Sequence, residues 1–167
     1  MNSQVQILKW MLQDVRAETF QGIEGLTKEK LFQPPIPGEA PIGAYLMHLG
    51  EVDAFWYSQL SGNQMPEEVT KRVYDNCWFD CPPENYNPPK EIIEVQEYWD
   101  AITATRNIVL EYLDNMKDAE LEQNIILKRK SGDTLISKKW IIYHLIEHEC
   151  HHRGQMFMLI RMGKLRQ

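Results

Sequence analysis

Apolar side chains recur at helical spacing over four long stretches of this chain. The first runs from Gln4 to Phe20, where Val5, Leu8, Leu12 and Val15 fall three or four residues apart with Met11 beside them. Gly22 and Gly25 end it. Leu26 to Phe32 can add a short turn of helix before Pro34, Pro35 and Pro37, which forbid further helix. The second stretch starts at Pro41, a residue suited to a first helical position. Its stripe continues through Ile42, Tyr45, Leu46, Leu49, Val52, Phe55 and Trp56 to about Leu60, and Ser61-Gly62-Asn63 stops it. The third runs from Lys90 to Met116, with Ile92, Val95, Trp99, Ile102, Ile108, Val109 and Leu113 on its apolar positions. The fourth runs from about Lys138 to Met162. Ser137 is placed to cap it, and Arg161, Lys164 and Arg166 suit a helix C-terminus.

The connections differ in character. Residues 63–89 hold Pro66, Pro82, Pro83, Pro88 and Pro89, with Cys77, Trp78, Phe79 and Cys81 among them. So long a loop in a compact protein is usually functional, and its aromatic content predicts that it packs. After the third stretch, two short β-prone runs flank Ser131-Gly132-Asp133, the pattern of a small hairpin. The expected fold is all-α: a four-helix bundle, a long loop after the second helix and a small β-hairpin before the last. None of the three links is a tight turn, which predicts crossover connections. At 167 residues, one domain spanning 1–167 is expected, large enough to bury a core without staples.

Composition narrows the partners. A net charge of −6 argues against a nucleic-acid binder that works by neutralising phosphates. Gln4, Gln6, Lys9, Gln13 and Asp14 break up the N-terminal run, so it reads as neither a signal peptide nor a membrane span. Three cysteines, an odd number, fit a reducing compartment better than a disulfide framework. A cytoplasmic protein is expected, with no nucleic-acid or membrane partner.

The chemistry concentrates in His144-Leu-Ile-Glu-His148-Glu-Cys-His151-His152-Arg-Gly-Gln155. On a helix, His144, His148 and His152 form one stripe, with neighbours roughly 5–6 Å apart at Cβ. Burying several imidazoles there costs desolvation unless they are partnered, and a metal ion supplies the partner. Bundle interiors complete such sites from facing helices, and His48 is the only other histidine. His148 and His152 are the first choice as ligands. His151 is turned about 100° from His152. His144 reads equally as a fourth ligand, a group behind the ligands or a substrate contact. Three histidines leave a coordination position open, as in catalytic sites, for an acidified water or a thiolate.

His148-Glu149-Cys150-His151-His152 also fits H-E-x-x-H, the zinc-peptidase pattern. No His, Asp or Glu follows His152 to serve as third ligand, and Gln155 and Met158 stand where the extended pattern needs Gly and His. A peptidase is therefore not expected, and Glu149 reads as a solvated helix residue before a group behind the ligands or an acid–base group. Cys77 and Cys81 read as two unpaired thiols before a redox-active pair near the mouth of the site, and Cys150 as a core or interface residue. Tyr45 can line the histidine pocket. Glu51 and Asp53 read as solvated, capping or ion-paired carboxylates, and Arg153 as structural. Trp56, Trp78 and Trp99 are core candidates; if one of them stands at the site, Trp78 is the one expected, because it lies in the long loop.

Two segments resemble the DinB/YfiT-like superfamily of bacterial metal-binding four-helix bundles. One is Pro41-Ile-Gly-Ala-Tyr-Leu-Met-His48-Leu-Gly-Glu-Val-Asp-Ala-Phe-Trp56, similar to that family's second helix with its single histidine. The other is Trp140-Ile-Ile-Tyr-His-Leu-Ile-Glu-His148-Glu-Cys-His-His152-Arg-Gly-Gln155, similar to its last helix. The resemblance implies a divalent-metal triad of His48, His148 and His152. It also implies a metal-dependent enzyme acting on a small molecule: a thiol S-transferase using bacillithiol, mycothiol or glutathione as cosubstrate, a thiol-dependent isomerase, or a hydrolase. The alternative is a non-catalytic metal- or small-molecule-binding bundle of stress response. Imidazole ligands suit zinc, nickel, copper or iron alike. A homodimer through the first helix, where Trp10 and Met11 sit beside the main stripe, is also expected.

Overall fold

The computed structural model describes residues 3–74, 77–129 and 132–166. Six helices and one hairpin follow in order: α1 (Gln4–Ile23), α2 (Lys28–Phe32), α3 (Ile42–Ser61), α4 (Glu67–Tyr74), α5 (Val95–Asp114), β1 (Asn124–Leu127), β2 (Thr134–Ser137) and α6 (Lys138–Met162). The four long helices are those the apolar stripes predict. Thr27 caps α2 by accepting from the Lys30 N–H, and Ser137 caps α6 by accepting from the Trp140 N–H. Pro41 stands one position before the first helical residue of α3, as its N-cap. Gly62, at φ +76°, ends α3 in the left-handed conformation that glycine adopts without strain. The strands pair antiparallel with Asn124 opposite Ser137 and Leu127 opposite Thr134. Of the expected turn, Ser131 lies outside the described residues.

Two expectations need correction. The 63–89 segment is not all loop: Glu67–Tyr74 is helical, with Val73 buried. The third long helix starts at Val95, not Lys90. Residues 90–94 stay non-helical after Pro88-Pro89, and Glu94 is the N-cap.

Contacts along the helices fix their directions. Arg16 meets Glu149, and Arg166 just beyond α6 donates to the Gly22 carbonyl, so α1 and α6 run parallel. His48 lies by His152 and Trp56 by Trp140, so α3 runs against α6. Arg106 donates to the Leu12 carbonyl and Phe20 packs on Trp99, so α5 runs against α1. Tyr98 packs on Gly43 and Tyr112 donates to the Leu60 carbonyl, so α3 and α5 run the same way. Of the three links expected to cross over, only the one from α3 to α5 joins parallel helices.

The apolar interior comes in two clusters. One gathers Ile23, Leu46, Leu49, Tyr98, Ile102, Met156 and Leu159. The other gathers Leu12, Trp56, Leu60, Val109, Leu113, Ile141 and Leu145. Between them lies a layer of buried charge: Arg16 from α1, Asp53 from α3, Arg106 from α5 and Glu149 from α6. Arg106 reaches both Asp53 oxygens, at 2.8 and 3.0 Å, and Glu149 at 2.9 Å. Arg16 reaches Glu149 at 2.8 Å and Asp53 at 3.2 Å. Two positive and two negative groups balance, which is how charges survive in an interior.

Candidate metal centre

α6 carries His148 and His152 one turn apart, and α3 presents His48 to them. The ring centroids lie 4.4 Å apart for His148–His152 and 5.1 Å for each pair with His48. One nitrogen from each ring lies within 4.8 Å of the others, and this is the one group of three or more potential ligands found among the described residues. The Nε2 atoms of His148 and His152 are 3.1 Å apart. Two nitrogens each about 2.0–2.1 Å from one ion lie about 3.3 Å apart in a tetrahedral site and about 2.9 Å apart in an octahedral one. The pair therefore fits a shared metal ion.

Two of the rings are held by side chains one turn further along. His48 Nδ1 faces a Glu51 carboxylate oxygen at 3.2 Å, and His152 Nδ1 faces the Gln155 carboxamide oxygen at 2.6 Å. These oxygens only accept, so each Nδ1 carries the proton and each Nε2 offers its lone pair inward. Burial, followed by the neighbouring rings of His152 and His48, pushes His148 down to about 3. Burial also lowers His152, against the opposing Gln155 hydrogen bond. Both rings are thereby kept neutral at neutral pH, the state a metal requires.

The other candidates separate clearly. His144 stacks on Trp140, with centroids 4.9 Å apart and planes 6° from parallel, and meets Trp56 edge-on. It is not in the three-nitrogen group. His151 is exposed. Tyr45 does line the pocket, 5.6 Å from the His152 ring. Trp78 is a core residue, as first expected, and not part of the site: it is buried against Phe32 and Tyr98. Its neighbour Phe79 is the aromatic residue of that segment at the site, 4.9 Å from His48 and 5.5 Å from His152. Glu149 is not solvated: with Asp53, which is ion-paired as one of its expected readings had it, it belongs to the buried charge layer. Burial would raise Glu149, but Arg16 and Arg106 outweigh it and hold the carboxyl down at about 2. Cys150 is exposed rather than in the core. Glu51 and Gln155 are orienting partners that the histidine pattern alone did not reveal. Their signal was spacing, since each lies three residues after a candidate ligand.

A cavity of about 810 Å³ opens between α3, α4, α5 and the segment leading into α5, lined among others by Met47, Lys71, Trp78, Lys90 and Asp100. Trp78 lines it while Phe79 packs on the histidines, so one short segment borders both. No helix is long and apolar enough to cross a membrane among the described residues.

The sequence matches the model of the DinB superfamily over residues 11–156. The fold is similar to a crystal structure of a conserved protein from Enterococcus faecalis, 16% identical, with a TM-score of 0.75 over 99% of this chain and 100% of that one. It is also similar to a DinB-like protein from Bacillus cereus ATCC 10987, 21% identical, with a TM-score of 0.63 over 92% of this chain and 91% of that one. Among curated proteins there is no match.

Proposed function

This chain belongs to the DinB superfamily, and from that premise we propose that it is a divalent-metal-dependent enzyme using His48, His148 and His152 as ligands. The observation that carries the reading is the convergence of three ring nitrogens within 4.8 Å from two helices, with His144 stacked on Trp140 instead of joining them. A divalent ion such as zinc or nickel, held with one position open, would acidify a water or thiol bound there.

The chain's own residues do the rest. Glu51 and Gln155 fix two of the rings, and Phe79 and Tyr45 wall one side with apolar surface. That wall favours a small organic thiol over bulk water as the incoming group, so transfer of a low-molecular-weight thiol to an electrophile is the preferred reaction. The aromatic 77–81 segment and the adjoining cavity would select the electrophile. In this reading residues 1–167 act as one cytoplasmic domain.

Conjugation of a model electrophile with bacillithiol, mycothiol and glutathione, comparing metal-loaded wild type with His48→Ala, tests the reaction. A rate that depends on one thiol and collapses in the variant is expected. Equal rates in both proteins for every thiol would refute transfer and leave hydrolysis or simple binding. Metal content and circular dichroism of His152→Ala test the site: the stoichiometric ion should be lost and the helices kept, because the apolar clusters do not depend on it.

A further inference from the structure

Cys77 and Cys81 bracket the residue that touches the histidines. Both are half-buried free thiols. The Cys81 thiol donates to the Cys77 carbonyl at 3.3 Å. The adjacent Cys77 thiol, ahead of burial, pushes Cys81 up to about 11, so Cys81 keeps its proton. The Cys77 carbonyl further accepts the Asn87 N–H at 2.8 Å, closing the 77–87 loop at its base. Asp80, at φ +48°, curls the chain back between the two cysteines. Trp78 is anchored in the core and Phe79 reaches the triad, so a bond between the sulfurs would enclose Phe79 in a small ring. A disulfide asks the sulfurs to close to about 2.05 Å.

We propose that Cys77 and Cys81 are a redox-modification site, a dithiol that peroxides convert to an intramolecular disulfide clamping Phe79 over the histidines. The Cys77 sulfur, as thiolate, attacks one peroxide oxygen and breaks the O–O bond, giving a sulfenic acid and hydroxide. The Cys81 sulfur then displaces the sulfenic oxygen, which leaves as water with the Cys81 proton. The hydroxide takes up the proton that Cys77 had released. Two thiols are oxidised, one peroxide is reduced and two waters form. Low-molecular-weight thiols reverse the bond by exchange. Cys150, exposed on α6, serves as the internal control.

The test treats the metal-stripped full chain with stoichiometric hydrogen peroxide and maps the disulfides by mass spectrometry, so it does not depend on the proposed activity. A Cys77–Cys81 bond should form ahead of any Cys150 product and be absent in Cys77→Ser and Cys81→Ser. In the oxidised wild type, acylation of His48 and His152 by diethyl pyrocarbonate should slow severalfold, and a reducing agent should restore it. Oxidation at Cys150 first, or of Cys77 to a sulfinic acid without a disulfide, overturns the site. A 77–81 disulfide with unchanged acylation rates overturns the clamp.

Discussion

Glu149→Gln removes one charge from the buried layer and keeps the shape of the side chain. Arg16 and Arg106 then share only Asp53, and an unmatched positive charge stays in the interior. Two routes give the size of the loss. Breaking a buried ion pair by removing one partner costs about 3–5 kcal/mol. Independently, Glu149 is held down from an ordinary 4.5 to about 2. At about 1.4 kcal/mol per pH unit, that is about 3 kcal/mol of stabilisation near neutrality. Because the folded value is depressed, this contribution is complete above pH 4.5, shrinks as pH falls, and is gone below about 2. Urea unfolding of wild type and variant at pH 7 should differ by about 3 kcal/mol with an unchanged m-value, a large share of the ~5–15 kcal/mol typical of a folded protein. The difference should narrow as pH falls below 4.5. A difference under about 1 kcal/mol at pH 7, or one independent of pH, would refute the reasoning. Replacing all four members together (Arg16→Met, Asp53→Leu, Arg106→Met, Glu149→Leu) should cost far less than the single change. Apolar replacements of whole buried ion networks are often neutral or stabilising.

The remaining predictions concern packing, pH and assembly. In Gly43→Ala the new Cβ would lie 2.6 Å from the Tyr98 ring, which is fully buried and cannot swing aside. Destabilisation of about 1–3 kcal/mol is expected, and an unchanged melting temperature would contradict the close approach of α3 and α5. His148 stays neutral in the fold to about pH 3 but takes up a proton near 6.5 when unfolded. Its effect is therefore to make the metal-free protein lose stability as pH falls below 6.5; a His148→Gln variant showing the same loss over that range would remove this residue as the cause. Trp10 is 61% exposed, with Ile7 and Met11 beside it on α1. Sedimentation should find a dimer that Trp10→Lys disrupts, and a monomeric wild type at micromolar concentration would exclude this face as the contact.

What was legible in the sequence follows from how far each signal reaches along the chain. The stripes of α1, α3, α5 and α6 repeat over five turns or more, so their periodicity survives local exceptions. α4 has two turns, charged at Glu67, Glu68, Lys71 and Arg72, inside a proline-rich segment, and so it read as loop. The histidines of α6 announce themselves because two lie one turn apart. The charge layer does not, because its members are 37 to 133 residues apart and each alone resembles a surface charge. Trp78 and Phe79 sit in an irregular segment, where no period says which of two adjacent rings turns toward the histidines. The Glu51 and Gln155 partners could have been found, since a residue three after a helical ligand shares its face.

The parallel step from α3 to α5 has a consequence for how such a protein can diversify. A helix of 20 residues is about 30 Å long, so a chain leaving the end of α3 must travel that distance back before α5 can begin alongside it. About nine or ten extended residues would suffice. The connection from Gly62 to Glu94 is several times longer, and the surplus forms α4 and the segment that brings Phe79 to the histidines. The helices alone carry His48, His148, His152 and the charge layer. The return strap is thus a module that topology demands but whose length and composition it leaves free. Selection on what borders the histidines can rewrite the strap residue by residue without disturbing the three histidines or the buried charges that align the bundle.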